Sequence, residues 1–201
     1  DQENGQPTNL RMTQPDVSAK RIGVAQIIES INCRDLRGSN VVLSARIRSS
    51  ASQAIRYAIL EHTGTADSVT SDVVGTWSNG TYTPSNFFIA GLTVVAVGSI
   101  TPSAATWTAI SLTGAVSASC NNLIVVFWTE GTFAQNATLD VGKAQLEAGS
   151  TATAFEYLPF DVAVAQCQRY YEKSYDLATA PGATTAVGGY FGVGRVTGAT
   201  N

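Results

Sequence analysis

The chain has 201 residues, 44% of them hydrophobic, and is long enough to bury one sizeable core. Only 13% are charged and the net charge is −3, so solubility rests on Ser, Thr, Asn and Gly. That balance argues against a general binder of nucleic-acid backbones. No apolar run approaches the roughly 20 residues of a membrane-spanning helix.

Residues 1–20 are polar, contain Pro7 and Pro15 and show no periodicity, which predicts an extended N-terminal arm. The chain opens Asp1-Gln2-Glu3-Asn4 with nothing that reads as a signal peptide, as expected of a segment of a longer polypeptide or assembly. A first strand is predicted over 23–31 and a loop over 34–40. Residues 41–49 then alternate, with Val41, Leu43, Ala45 and Ile47 on one face and Ser44, Arg46 and Arg48 on the other. Such alternation marks a half-buried antiparallel strand.

Further strands are expected over 54–61, 69–77, 92–100, 106–112, 123–128 and 139–147. Most are separated by Gly, Ser, Thr, Asn or Pro. About eight short strands without an intervening helical pattern predict an all-β fold, an antiparallel β-sandwich over residues 21–158. Eight strands favour a jelly roll, in which two sheets of four bury one face each. Its expected core is Ile27, Leu43, Ile47, Ile59, Val95, Ile110, Leu112, Val126, Trp128 and Leu146.

The pattern changes near Pro159. Residues 161–173 place Ala163, Cys167, Tyr170 and Tyr171 near helical spacing behind Asp161 as N-cap, so one short helix is expected. A Gly-rich C-terminal arm follows, and 159–201 reads as an oligomerisation or connector segment. Its Val162, Val164, Tyr170, Tyr171, Tyr190, Phe191 and Val193 cannot build a core of their own. Burial between symmetric copies is the expected solution; folding back over an edge of its own sandwich is the alternative.

The inventory of reactive groups is short: His62 is the single histidine, and Cys33, Cys120 and Cys167 match no zinc spacing. Each thiol reads as a small packed hydrophobe. With one histidine and no G-x-S-x-G elbow, a hydrolytic triad is disfavoured. A glycosidase pair could come from Asp72, Glu130 and Asp140, yet no spacing singles out two of them. Charge is uneven as well. Residues 57–142 hold no Lys or Arg against five acids, while 1–56 hold eight basic and five acidic groups. A ligand of the middle block is therefore expected to be neutral, or to be held through carboxylates.

Sugar faces rich in C–H stack on aromatic rings while their hydroxyls meet polar side chains. Trp77 and Tyr82, around the Asn79-Gly80 turn, and Phe133, in the 130–136 loop, are the candidate glycan-binding residues. Trp107 and Trp128 lie at the ends of apolar strands and read as core. Asp140, near the last strand, is a candidate Ca²⁺ ligand, with no second acid beside it. The glycines of 188–194 lack dinucleotide-loop spacing and read as close packing.

Two stretches resemble a known family. Ala144-Gln145-Leu146-Glu147-Ala148-Gly149-Ser150 with Ala152-Thr153-Ala154-Phe155-Glu156 is similar to the ending of carbohydrate-binding-like jelly rolls in phage tail fibre and tailspike proteins. Cys167-Gln168-Arg169-Tyr170-Tyr171-Glu172-Lys173-Ser174-Tyr175-Asp176, with Ala180-Pro181-Gly182, resembles the segment that follows it there. Upstream, Asn32-Cys33-Arg34-Asp35-Leu36-Arg37-Gly38 and the strand after it resemble their first core strands. One departure is Ala154, where the family often has proline. The resemblance spans roughly 20–182.

It implies a virion-associated, non-enzymatic β-sandwich of a homotrimeric fibre, contacting other tail proteins and acting outside the cell on a host-surface glycan. A structural Ca²⁺ near the last core strand is implied by the broader carbohydrate-binding class. The alternative is a carbohydrate-binding module of a secreted polysaccharide-active enzyme, and a third is a depolymerase or esterase.

Overall fold

In the computed structural model, residues 9–70, 72–159, 161–163 and 165 are described. Eight strands are laid down along the chain: β1 (Leu10–Thr13), β2 (Gly23–Ile28), β3 (Asn40–Ser49), β4 (Ile55–His62), β5 (Leu92–Ile100), β6 (Thr108–Ala115), β7 (Asn122–Thr129) and β8 (Thr138–Ala148). They form two antiparallel four-stranded sheets, ordered β1-β8-β3-β6 and β2-β7-β4-β5. Apart from the β4–β5 pair, every consecutive strand changes sheet, which is the jelly-roll order expected from the sequence.

β3 is built as its alternation requires. Val41, Leu43, Ala45 and Ile47 are buried in the core between the sheets, while Ser44, Arg46 and Arg48 face outward. β7 is different, because all eight of its residues are buried. Leu123, Val125 and Phe127 enter the core between the sheets. Ile124, Val126 and Trp128 point to the other side of the second sheet, where the 63–91 connection buries them under Val73, Phe87 and Phe88. The expectation that each sheet buries one face thus fails for the second sheet, which buries both. A continuous apolar run is the pattern such a strand needs.

Two expected elements also change. The described residues of 69–77 form no strand; among them the pairing is an isolated bridge between Val74 and Phe88. Val73 is apolar because it covers a sheet, not because it pairs in one. The missing strand is β1, inside the stretch read as an arm. It pairs with β8 from Leu10↔Val141 to Thr13↔Thr138, and four residues are too few to leave a periodic signal. Residues 30–36, read partly as loop, form a 3-10 helix.

A bulge in β8 reconciles its two halves. Arg46 pairs with Gly142 and Ser44 with Gln145, so β8 carries one extra residue there, and Lys143 adopts a left-handed φ of 49°. The shift matters because Val141 pairs with Ile47 and Leu146 with Leu43, residues of one face. An odd spacing of apolar residues reaches a single core only through such an insertion.

The sandwich closes where β5 packs on β6. At the opposite edges, β1 and β2, it opens into a groove of about 750 Å³ walled by Val24, Ile28, Leu43, Val125, Phe127 and Leu146. Of the ten expected core residues, Leu43, Ile47, Ile59, Ile110, Val126 and Trp128 are buried. Ile27, Val95, Leu112 and Leu146 are partly buried against the same clusters.

Cys33 and Cys120 are free and buried. Leu123 N–H donates to Cys33 Sγ at 3.2 Å, and Cys120 Sγ donates to the Asn122 carbonyl at 3.3 Å. The N–H and C=O of one trans peptide point in opposite directions, so the thiols flank that unit on opposite sides. Desolvation, then the neighbouring Cys33, pushes the Cys120 thiol up to about 12.

Contacts divide the chain into units 1–155 and 156–201. In the second, residues 161–163 and 165 are helical, and Ala163 N–H donates to the Pro159 carbonyl at 3.0 Å. The rest of the predicted helix, Cys167 and the Gly-rich arm lie outside the described residues. Among the described residues no helix is long and apolar enough to cross a membrane.

Leu43→Ala, at a fully buried position, is expected to cost roughly 2–5 kcal/mol in denaturant unfolding, and Val126→Ala less, because it removes less apolar volume.

Candidate functional site

The 63–91 connection has to cover the outer face of β7 and β4, and its aromatic residues do so as one cluster. Phe87 stacks on Trp128 with centroids 5.1 Å apart and planes at 26°. Phe88 meets Trp128 edge-on at 5.6 Å. Tyr82 leans on Phe87 and Trp128 at 5.1 and 5.2 Å, and Trp77 meets Phe87 edge-on at 5.7 Å. Such tilted and edge contacts add to the area buried. Backbone bonds from Ile89 N–H to the Val73 carbonyl and from Gly75 N–H to the Phe87 carbonyl tie the ends of the connection together.

Trp77 and Tyr82 therefore share one cluster but differ in presentation. One side of the Tyr82 ring meets Trp128, and the Arg56 guanidinium lies 4.4 Å from its centroid. Arg56 is itself paired with Glu130 at 2.9 Å. Tyr82 is thus a half-buried clamp on Trp77's neighbours. Trp77 remains 40% exposed.

Neighbours from the beginning of the chain fix Trp77. Arg21 Nη1 donates to the carbonyls of Trp77 and Asn79 at 2.7 and 2.8 Å. Gly23 makes room for the indole: a Cβ there would lie 2.9 Å from Trp77 Cη2 and 2.6 Å from the Phe127 carbonyl oxygen. Beside the ring lies an open hollow of about 490 Å³, lined by Ala19, Lys20, Arg21, Trp77, Ser78 and Thr132. The arrangement offers an exposed ring, two hydroxyls and two cations.

Phe133 is not part of that surface. It is 1% exposed, with its ring in the core between the sheets. Only its backbone reaches the site, through reciprocal bonds of 2.8 and 3.1 Å with Lys20. The glycan-binding role expected of it is corrected on this point: a ring without accessible faces cannot stack on a sugar. Its apolar character belongs to the core under the 130–136 loop.

Asp140 is likewise corrected. It is 1% exposed, and its carboxylate accepts from Arg11 Nε at 2.7 Å and from Arg48 Nη2 at 2.8 Å. Two guanidinium groups occupy the oxygens a cation would need. Among the described residues no group of three His, Cys, Asp or Glu is placed to hold a metal. Trp107, expected in the core, is half-buried on the outer face of the first sheet, with Arg48 5.1 Å from its ring centroid. Its Cη2 would lie 3.4 Å from a Cβ at Gly142.

His62 ends β4 with its ring against Gly64. The adjacent Glu61 is buried and accepts the Ser117 backbone N–H at 2.9 Å. It does not orient the imidazole as a triad acid would.

Sequence reasoning missed Lys20, Arg21, Gly23, Ser78 and Thr132 as companions of Trp77. Nothing local marks them, and the cation-free middle block pointed away from any basic neighbour.

No protein-family model matches the chain, and no curated protein does. Among solved structures the chain is similar to a CBM4 carbohydrate-binding module at 12% identity, over 72% of this chain and 73% of that one, with a TM-score of 0.43. It is similar to a family 16 carbohydrate-binding module at 11% identity, over 71% and 78%, with a TM-score of 0.40. An arabinose-bound α-L-arabinofuranosidase matches at 16% identity, over 74% of this chain and 20% of that one, with a TM-score of 0.41.

Burial alone would raise the Asp140 carboxyl, but the hydrogen bonds and charges of Arg11 and Arg48 outweigh it and hold it below the usual carboxylate range. Its folded pKa thus lies below the unfolded value of about 3.9. The associated stability is present above about pH 4 and is lost as pH falls through the folded value. Asp140→Ala is expected to lower stability at pH 7 by roughly 3 kcal/mol, since it removes the carboxylate that the largely buried Arg48 is paired with, and to flatten the acid limb of the stability curve. Melting temperatures in EDTA and in excess Ca²⁺ should coincide; a rise of several degrees in Ca²⁺ that Asp140→Ala abolishes would reinstate the metal.

Proposed function

We propose that the chain is a non-catalytic glycan-binding module, serving as a structural and receptor-binding part of a phage tail fibre or other virion appendage. The observation that supports glycan binding most is Trp77. Its ring is exposed, is held by Arg21 and the Gly23 cradle, and borders a hollow carrying Ser78 and Thr132 hydroxyls. A rigid aromatic face with polar groups at its rim suits a pyranose, which offers C–H bonds on one face and hydroxyls around its edge. Rigidity matters because little entropy is then lost on binding.

The virion context is supported by the sequence resemblance in 144–156 and 167–182. The same Trp77 surface would serve a secreted polysaccharide-active enzyme as its binding module. The two readings part in assembly, since a fibre needs self-association and an enzyme's module does not.

The site is tested on a panel of bacterial surface polysaccharides by calorimetry. Trp77→Ala is expected to weaken the binding found by about tenfold or more, which corresponds to roughly 1.4 kcal/mol, with the β circular dichroism spectrum retained. Unchanged affinity would remove Trp77 from the site. Assembly is tested separately by light scattering. The fibre reading expects three times the 21.0 kDa chain mass, lost on deletion of 161–201, whereas a monomer at micromolar concentration favours the enzyme-module reading.

A further inference from the structure

We infer that the Trp77 site selects acidic saccharides, receiving a sugar carboxylate or sulfate on Arg21 and Lys20 while the ring stacks on the indole. This rests on the glycan-binding reading of Trp77 and names its ligand class.

The first ground is the charge of the hollow. Of its six lining residues, Lys20 and Arg21 are charged, both are cations, and no carboxylate lines it. Asp16 pairs with Lys20 Nζ in an exposed contact that uses one of three ammonium protons. Asp72 borders Trp77 in a separate, smaller pocket with Gly23 and does not line this hollow, so the charges on its wall are cationic although the whole chain carries −3.

The second ground is the way Arg21 is held. Its Nη1 is committed to the carbonyls of Trp77 and Asn79. Nε and Nη2, the side-on edge of the guanidinium, have no protein acceptor among the described residues and are not shut away from solvent. That edge offers two parallel N–H donors at the spacing of two carboxylate or sulfate oxygens. An arginine tethered by one nitrogen has already lost much of its rotamer freedom, so the fork is prepared for its anion.

The third ground is the linkage of the two parts. The guanidinium is hydrogen-bonded to the backbone of the residue whose ring would stack on the sugar. Anion and stacking surface are therefore held in one frame, and a ligand with an acidic substituent at its ring edge can use both. A neutral sugar uses the indole alone.

The test is calorimetric titration of the full chain with matched pairs: oligogalacturonates with their methyl esters, and sulfated oligosaccharides with their desulfated forms. The expected result is that at least one acidic member binds about tenfold or more tighter than its neutral partner, a preference that shrinks as NaCl rises. The carboxylate and sulfate arms show which anion is preferred. Arg21→Gln should reduce acidic binding by about tenfold or more, and by more than it reduces neutral binding, and Arg21→Lys, which keeps the charge without the fork, should fall between. Lys20→Gln, which leaves the Arg21 tether untouched, should cost less than Arg21→Gln and still reduce the salt dependence. That variant keeps the test decisive if loss of Arg21 loosens the Trp77 loop.

If the neutral partners bind as tightly as the acidic ones and both Arg21→Gln and Lys20→Gln leave affinity unchanged, the inference is overturned and the glycan-binding reading stands. If neither acidic nor neutral members bind, the glycan-binding reading itself fails, and the inference with it.

Discussion

The fold depends on the second sheet being buried on both faces. β7 contributes Leu123, Val125 and Phe127 to one core and Ile124, Val126 and Trp128 to another. A strand so apolar on both sides cannot face water, so the 63–91 connection has to lie over it. Each large side chain buried there, Phe87, Phe88 or Trp128, contributes roughly 1.5–3 kcal/mol. That burial offsets the backbone entropy lost in ordering a connection whose described residues pair only through isolated bridges. Long connections without secondary structure are uncommon in compact domains and are often functional. Here the packing that stabilises the sheet also creates the fixed platform on which Trp77 stands.

The second requirement is that the beginning of the chain reach this platform. Gln14 is buried, and its Nε2 faces the carbonyls of Asp16, Ser18 and Phe133 at 2.9–3.0 Å. A buried amide with its partners supplied costs little, whereas one without them would be strongly unfavourable. The bridge from Lys20 to Phe133 continues the same attachment, and Arg21 completes it at the Trp77 loop. On the other sheet, Arg11 and Arg48 close on Asp140 and fix the short β1. The edge strands are thus held by polar anchors, while the central strands are held by apolar area.

Much of the architecture is legible in the residues. The alternation of 41–49 gives one buried and one polar face, and it is the face found. The run from Leu123 to Trp128 likewise specifies a fully buried strand, although the covering layer it demands carries at 69–77 an apolar pattern that predicts a strand. That error has a physical origin: Val73 is apolar because it packs on a sheet, and packing on a sheet leaves no period-two mark. β1 escaped detection for the opposite reason. Its four residues are fixed by pairing with β8 and by the Arg11–Asp140 contact, both of long range.

Among the candidate residues, Trp77 is the one the fold leaves exposed. Phe133 sits in a polar loop along the chain and Asp140 between Leu139 and Val141, yet the ring lies in the core and the carboxylate under two arginines. Sequence by itself determined seven of the eight strands, the jelly-roll class and most of the apolar core, because periodicity and turn residues are local properties that survive in one dimension. Only the tertiary structure decided which aromatic is exposed and that its neighbours are cations. Burial and electrostatic environment are set by segments far apart in the chain, and the arginine and lysine beside Trp77 come from a block more than fifty residues before it.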